Sequence, residues 1–262
     1  KMKKFLNFVV CIAFALGFSS SFANATEKIT VGATPVPHAE ILEFVKPELK
    51  KMGYELEIKV FNDYVIPNVA TDEGQLDANF FQHIPYLNDF NAQKGTKLVK
   101  AAAVHLEPMG VYSKKIKNLD ELKDGDKVGI PNDPTNESRA LDVLVNAGLI
   151  KVNDNALRTP KDIIENSKNL KFIEIEAAQV PRTLGDTAIS VINTNFAMNA
   201  GLNPVKDALA IESKDSPYAN ILVVKDSNEN TPKIKALVKV LNSESVKNFI
   251  NEKYKGAIIP AF

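Results

Sequence analysis

The chain is poor in the groups that most often carry covalent chemistry: it has one cysteine, three histidines and no tryptophan in 262 residues. The cysteine, Cys11, lies in an N-terminal segment with the pattern of a secretory leader. Lys1, Lys3 and Lys4 form a positive start, Phe5 to Phe18 is apolar, and Ala23-Asn24-Ala25 is a small-x-small cleavage signature. Cleavage after Ala25 is expected, which leaves about 237 residues without a cysteine. Such a product has neither a disulfide framework nor a thiol nucleophile. In an oxidising compartment its core alone must stabilise it. The apolar run is too short for a comfortable membrane span, and no later run matches it.

Excess charge of one sign is also missing. The full chain has 32 basic and 32 acidic residues, and loss of the three leader lysines makes that 29 against 32. No basic block occurs, so nucleic acid and anionic membrane surfaces are not suggested as partners. Internal repeats and low-complexity linkers are absent. About 237 residues suffice for one large α/β domain or two small ones.

What is present is an alternation of short strands and helices. Strands are expected at 28–34, 55–61, 76–82, 127–131, 171–175, 188–193 and 221–225, with an extended stretch over 97–113. Helices are expected from His38, where Ile41, Val45, Leu49 and Met52 form a stripe interrupted by Pro47, and over 83–93, 135–147, 180–184, 232–241 and 245–254. This order argues for an α/β fold with mainly parallel strands. Two sheet-forming blocks that part near 110–118 suggest two lobes, with a ligand site between them at the carboxyl ends of strands.

The segment NFFQHIPYLNDF, residues 79–90, concentrates rings beside hydrogen-bonding groups. Strand alternation puts Leu76, Ala78 and Phe80 on one face and Asp77, Asn79 and Phe81 on the other. Phe80 then belongs to the core with Leu87, and Phe81 to a cleft, where His83 and Tyr86 lie on one side of the following helix. Core packing of the whole segment is the competing reading. A second cluster, IPNDPTNESR over 130–139, ends a strand and starts a helix, with Asp133 as cap and Pro134 in the first turn. Its free backbone N–H groups could hold an anion, and Arg139 could offer a fork to a carboxylate; a surface arginine on an ordinary helix is the alternative. Ser138 has no nucleophile elbow around it. His38, His83 and His105 match no metal-binding spacing, so no metal site is expected. Asn193 and Asn220 read locally as turn residues. No close pair of acids suggests acid–base catalysis.

The segments DYVIPN (63–68), ANFFQHIPYL (78–87), HLEPMGVYS (105–113), IPNDPTNESRAL (130–141), EAAQVPRTL (176–184), VINTN (191–195), AGLNPVKDAL (200–209) and DSPYAN (215–220) together resemble the NlpA-type family. These are periplasmic methionine-binding proteins that serve ABC importers, and the matches span nearly all of the chain after the leader. The resemblance implies a two-lobe "Venus flytrap" of the type II kind with a mixed sheet in each lobe: 26–110 and the return segment 212–262 in one, 111–211 in the other. It implies no enzyme activity and no cofactor. Methionine, taken as the L form, would lie between the lobes. Its side chain would meet Tyr64, Phe81, His83 and Tyr86; its amino-acid backbone would meet Arg139, Asn193 and Asn220, with Asn136 nearby. The implied partner is an inner-membrane importer permease, with the binding protein a monomer. D-methionine, a methionine-containing dipeptide or another apolar amino acid are the alternative ligands, and a periplasmic hydrolase the alternative class. Two departures stand out. Ser138 replaces the glycine that often precedes the arginine. The residues before Cys11, Phe8-Val9-Val10, form no lipobox, so a protein free of a lipid anchor is expected.

Overall fold

The computed structural model describes residues 26–262; the expected leader, its cleavage site and Cys11 lie outside the described residues. Two sheets organise the chain. The elements run β1 (Glu27–Ala33), α1 (Glu40–Lys51), β2 (Tyr54–Val60), α2 (Ile66–Asp72), β3 (Ala78–His83), α3 (Ile84–Lys94), β4 (Leu98–Leu106), β5 (Gly110–Tyr112), β6 (Lys127–Pro131) and α4 (Pro134–Asn146). They continue β7 (Lys151–Val152), β8 (Ile163–Glu165), β9 (Lys171–Ile175), β10 (Ile189–Ile192), α5 (Thr194–Asn199), α6 (Pro204–Asp207), β11 (Ala210–Ile211), β12 (Ala219–Lys225), α7 (Pro232–Leu241), α8 (Glu244–Tyr254) and β13 (Ile259–Pro260).

The larger sheet has the order β13-β4-β12-β3-β1-β2 and the smaller β11-β5-β10-β6-β9, with β7 and β8 as a separate ribbon. Both sheets are mixed. β1 pairs in parallel with β2 and β3, whereas β12 runs antiparallel to β3 and β4. β6 is parallel to β9 and β10, and β5 is antiparallel to β10. The sequence pattern suggested mainly parallel strands; the return of β12 into the middle of the larger sheet overrides it. The expected extended stretch over 97–113 is two strands in different sheets, divided at Pro108, which has no N–H to continue a ladder. Chain crossings between the sheets are therefore 107–109 and 212–218.

Each sheet has its own core. Ile29, Val31, Phe80, Leu222 and Val224 pack with Ile41, Val45 and Leu49 of α1 and with α7 and α8. Val128, Ile130, Ile189 and Val191 pack with Leu141 and Leu144 of α4. The stripe on α1 holds through Leu49, while Met52, at the helix end, is exposed. Pro47 stays inside α1. α3 starts on Pro85 in its first turn and stops at Gly95, whose φ of 68° is a left-handed cap that favours glycine. Helix α2, unforeseen from the sequence, buries Pro67 and Ala70 together with the polar side chains of Asn68 and Thr71. These pack on Asn79 and Gln82 of β3 through a ladder of amides. Asn79 Nδ2 donates to Asn68 Oδ1 and Thr71 Oγ1 at 3.0 and 2.8 Å, and Gln82 Nε2 donates to Asn68 Oδ1 at 2.6 Å.

Candidate functional site

The ends of β3, β4, β10 and β12 and the start of α4 converge on one cleft between the sheets. Its walls are Tyr64, Phe81, Gln82, His83, Tyr86, Glu107, Asn136, Arg139, Asn193, Thr194, Asn195 and Asn220. All seven residues expected at a ligand site therefore face one space, together with Asn136. The free volume is about 20 Å³, room for about one water molecule. An amino-acid-sized molecule enters only if the walls part.

One wall is aromatic. Phe80 is in the core, fully buried, while Phe81 stacks on Tyr64 with ring centres 5.5 Å apart. Tyr86 meets both rings edge-on, at 5.8 and 5.9 Å, and Phe196 packs on Tyr64 at 4.8 Å. The tyrosine hydroxyls are spoken for: Tyr64 donates to Asn195 Oδ1 at 2.6 Å, and Tyr86 to the Tyr64 carbonyl at 2.9 Å. The result is a ring-edge surface of the sort that suits a polarisable sulfur.

The opposite wall is polar. Asn220 sits on β12 in register with His83 of β3 on one side and His105 of β4 on the other. Asn193 follows β10 at the N-cap position of α5 but makes no side-chain capping bond; its Nδ2 donates to Asn136 Oδ1 at 2.9 Å. The same Asn136 oxygen lies 3.1 Å from His83 Nε2. Asp133 caps α4 by accepting from the Asn136 N–H at 3.0 Å, so the anion position expected at that helix start is already filled by the protein's own carboxylate. Burial raises the Asp133 carboxyl pKa, against the hydrogen bonds from Asn136 and Thr135.

Arg139 departs from the simple expectation of a free fork. Its Nε donates to Glu212 Oε1 at 2.9 Å and its Nη2 to Glu212 Oε2. Nη2 also donates to the Glu107 carbonyl at 2.8 Å, and the guanidinium lies 4.3 Å over the Tyr218 ring. The bidentate edge is thus taken by Glu212, and Nη1 is the part left for the cleft.

Glu107, a residue local sequence did not mark, is the hub of a buried cluster. Its Oε1 is 2.7 Å from His105 Nε2 and 3.2 Å from His38 Nε2. His38 Nε2 is also 3.0 Å from Asn220 Oδ1, and its Nδ1 is 2.7 Å from Thr34 Oγ1. Burial holds the imidazole pKa values low, at about 4 for His38 and about 3 for His105 and His83, so all three are neutral at pH 7. Burial pushes Glu107 up, against the pull of His38 and Arg139 and the Asn195 N–H. His38, His105 and Glu107 have ligand atoms within 4.8 Å of one another, the one such group among the described residues. Sequence spacing gave no hint of it, because strand pairing and not a local motif assembles it. A metal there would need both Nε2 atoms bare, whereas each points at the same carboxylate oxygen as a donor would.

A family profile described as NlpA lipoprotein matches residues 29–262. The chain belongs to the NlpA lipoprotein family. The D-methionine-binding lipoprotein MetQ of Salmonella typhi is 45% identical over 225 residues, covering 84% of this chain and 82% of that protein. The methionine-binding lipoprotein MetQ of Bacillus subtilis is 44% identical over 255 residues, covering 94% and 92%. Among solved structures, a nutrient binding protein from Burkholderia cenocepacia bound to methionine superposes with a TM-score of 0.87 at 45% identity, covering 89% of this chain and all of that one. NlpA relatives of this kind are two-lobe binding proteins and not enzymes, and the mixed α/β fold described above is theirs. Their names also say lipoprotein, so the expectation of a protein free of a lipid anchor finds no support among them. No helix among the described residues is long and apolar enough to cross a membrane.

Proposed function

We propose that this protein binds methionine in the cleft between its sheets and hands it to an ABC importer in the inner membrane. The observation that carries this reading is the division of one small cleft into a wall of ring edges and a wall of amides, beside an arginine. The thioether lies against Tyr64, Phe81 and Tyr86, where each sulfur–ring contact contributes about 0.3–1.5 kcal/mol. His83 closes that end. The α-carboxylate and α-ammonium meet Arg139 Nη1, Asn193 and Asn220. Residues 26–110 and 212–262 form one lobe and 111–211 the other, and ligand stabilises the closed arrangement because both lobes touch it. The protein works as a monomer on the periplasmic side.

Calorimetry on protein refolded free of any co-purified small molecule tests the reading. L-methionine, D-methionine and a methionine-containing dipeptide are titrated in turn. Methionine in one hand binds, and Asn220→Ala removes most of that binding because a buried ligand charge loses its partner. Unchanged affinity in Asn220→Ala rejects the site, and no heat with any of the three rejects the ligand.

A further inference from the structure

Two carboxylates, the half-buried Asp133 and the buried Glu107, bear on which way the cleft's asparagine amides face. An amide side chain can present either its oxygen or its NH₂ group, and hydrogen-bond partners decide which. Asn136 Nδ2 lies 2.9 and 3.1 Å from the two oxygens of Asp133. A carboxylate can only accept, so this end of Asn136 is the NH₂ end and its other end is the oxygen. That oxygen receives Asn193 at 2.9 Å and His83 Nε2 at 3.1 Å. Asn193 must therefore turn its NH₂ inward, and His83 must carry its proton on Nε2. The second ring nitrogen of His83 is consistent with this, since Nδ1 accepts the Tyr86 N–H at 3.2 Å. What remains of Asn193 is its Oδ1, which is buried and without a partner among the described residues.

The second chain starts at Glu107. Its Oε1 is shared by the Nε2 atoms of His105 and His38, so both imidazoles carry their protons there. The Nε2–H of His38 also reaches Asn220 Oδ1 at 3.0 Å, and its Nδ1 accepts from Thr34 Oγ1 at 2.7 Å. Asn220 is held with its oxygen toward His38 and its NH₂ free for the cleft. The two asparagines thus face the same space in opposite senses.

We propose that Asp133, through Asn136, and Glu107, through His38, are positioning residues that make Asn193 an acceptor for the ligand's α-ammonium and Asn220 a donor to its α-carboxylate. The cleft then selects a free, zwitterionic amino acid in one orientation. This rests on the methionine reading above and adds residues that need not touch the ligand. Asp133 and His38 do not line the free space.

The test uses three probes that share one thioether: L-methionine (or the enantiomer the wild type prefers), 4-(methylsulfanyl)butanoate, which lacks the ammonium, and 3-(methylsulfanyl)propylamine, which lacks the carboxylate. Affinities come from calorimetry, with the truncated probes as competitors of methionine. Asp133→Ser keeps a helix cap, but its single oxygen is occupied by the backbone and no longer orders Asn136. Its preference for methionine over the butanoate shrinks roughly tenfold, while the preference over the amine is retained. His38→Phe keeps a ring and loses the donor to Asn220, and gives the reverse pattern. Asp133→Asn and His38→Gln, which restore an acceptor and a donor respectively, keep wild-type ratios and serve as folded references in thermal melts. Uniform weakening of all three probes in Asp133→Ser and His38→Phe overturns the proposal, since it marks mere loss of structure. A wild type that does not bind methionine overturns the functional reading first, and the proposal with it.

Discussion

Arg139 gives three of its five N–H donors to the protein itself. All three go to the segments where the chain crosses between sheets: two to Glu212 and one to the Glu107 carbonyl. Glu212 Oε2 in turn accepts the Met109 N–H at 3.2 Å. The arginine is 3% exposed and its partner 10% in their side chains, so the pair is largely desolvated. Arg139→Met should therefore cost about 3 kcal/mol of stability even without ligand, because Glu212 is left buried and unpaired. Glu212→Gln removes charge but keeps an acceptor, and should cost less while methionine binding persists. Urea unfolding of the two variants, with and without methionine, measures both effects. Equal stability of Arg139→Met and wild type in ligand-free buffer would refute the clamp.

At this scale the sequence was informative where neighbours in the chain are neighbours in space. Alternation along β3 separated Phe80 from Phe81, and the structure keeps them on opposite faces. Asp133 as a helix cap was equally legible. Glu107, Asn195 and the partners of Arg139 were not, since they depend on contacts as remote as Arg139 with Glu212 or His38 with Asn220. Tyr64, Asn193 and Asn220 were reached through resemblance to a family and not through their local pattern.

Secondary-structure elements explain a different set of successes and failures. Helix α4 was legible from its Asp-Pro start. Helix α2 was invisible because its buried residues are Pro67, Asn68, Ala70 and Thr71, with no large apolar side chain, and hydrophobic periodicity has little to register there. The strands β4 and β5 merged in the sequence reading because extended pattern says nothing about which sheet a strand joins. Helix α4 also carries a carboxyl that its surroundings keep from ionising. Glu137, in its first turn, has a buried oxygen without a partner among the described residues. Burial first, and Glu174 of β9 next, raise its pKa to about 8. A carboxyl whose folded value is raised is favoured in its protonated form by the fold, so the fold loses stability as pH rises from the ordinary carboxylate range toward 8. Glu137→Gln does not titrate. It should match wild type near pH 5 and exceed it at pH 8, by about 1 kcal/mol once solvent screening is allowed for. Denaturant titrations at the two pH values give the comparison, and an advantage of the variant that shrinks with rising pH would contradict the assignment.

For the whole molecule the question is what holds the cleft shut. The free volume of about 20 Å³ is far below what an amino acid needs, so uptake requires the lobes to separate. Specific side-chain contacts cross the cleft. Tyr64, from the larger-sheet side, donates to Asn195 at 2.6 Å and packs on Phe196, both on α5 beside the smaller sheet. His83 reaches across to Asn136 of α4 at 3.1 Å. These bonds occupy groups that a bound ligand would also contact, so closure without ligand and closure around ligand compete for them. A ligand can shift such an equilibrium only by its differential affinity for the two forms. Tyr64→Phe keeps the ring against Phe81 and deletes the bond to Asn195, worth about 1 kcal/mol, which moves the empty protein toward the open form. Small-angle scattering should then show a larger radius of gyration for the empty variant than for the empty wild type. Saturating methionine should bring both to the same compact value, because the ligand supplies cross-cleft contacts that the hydroxyl no longer does. Identical radii for the two empty proteins would mean that the Tyr64 hydroxyl has no part in closure, and that the aromatic stack on Phe196 and the His83 contact carry it instead.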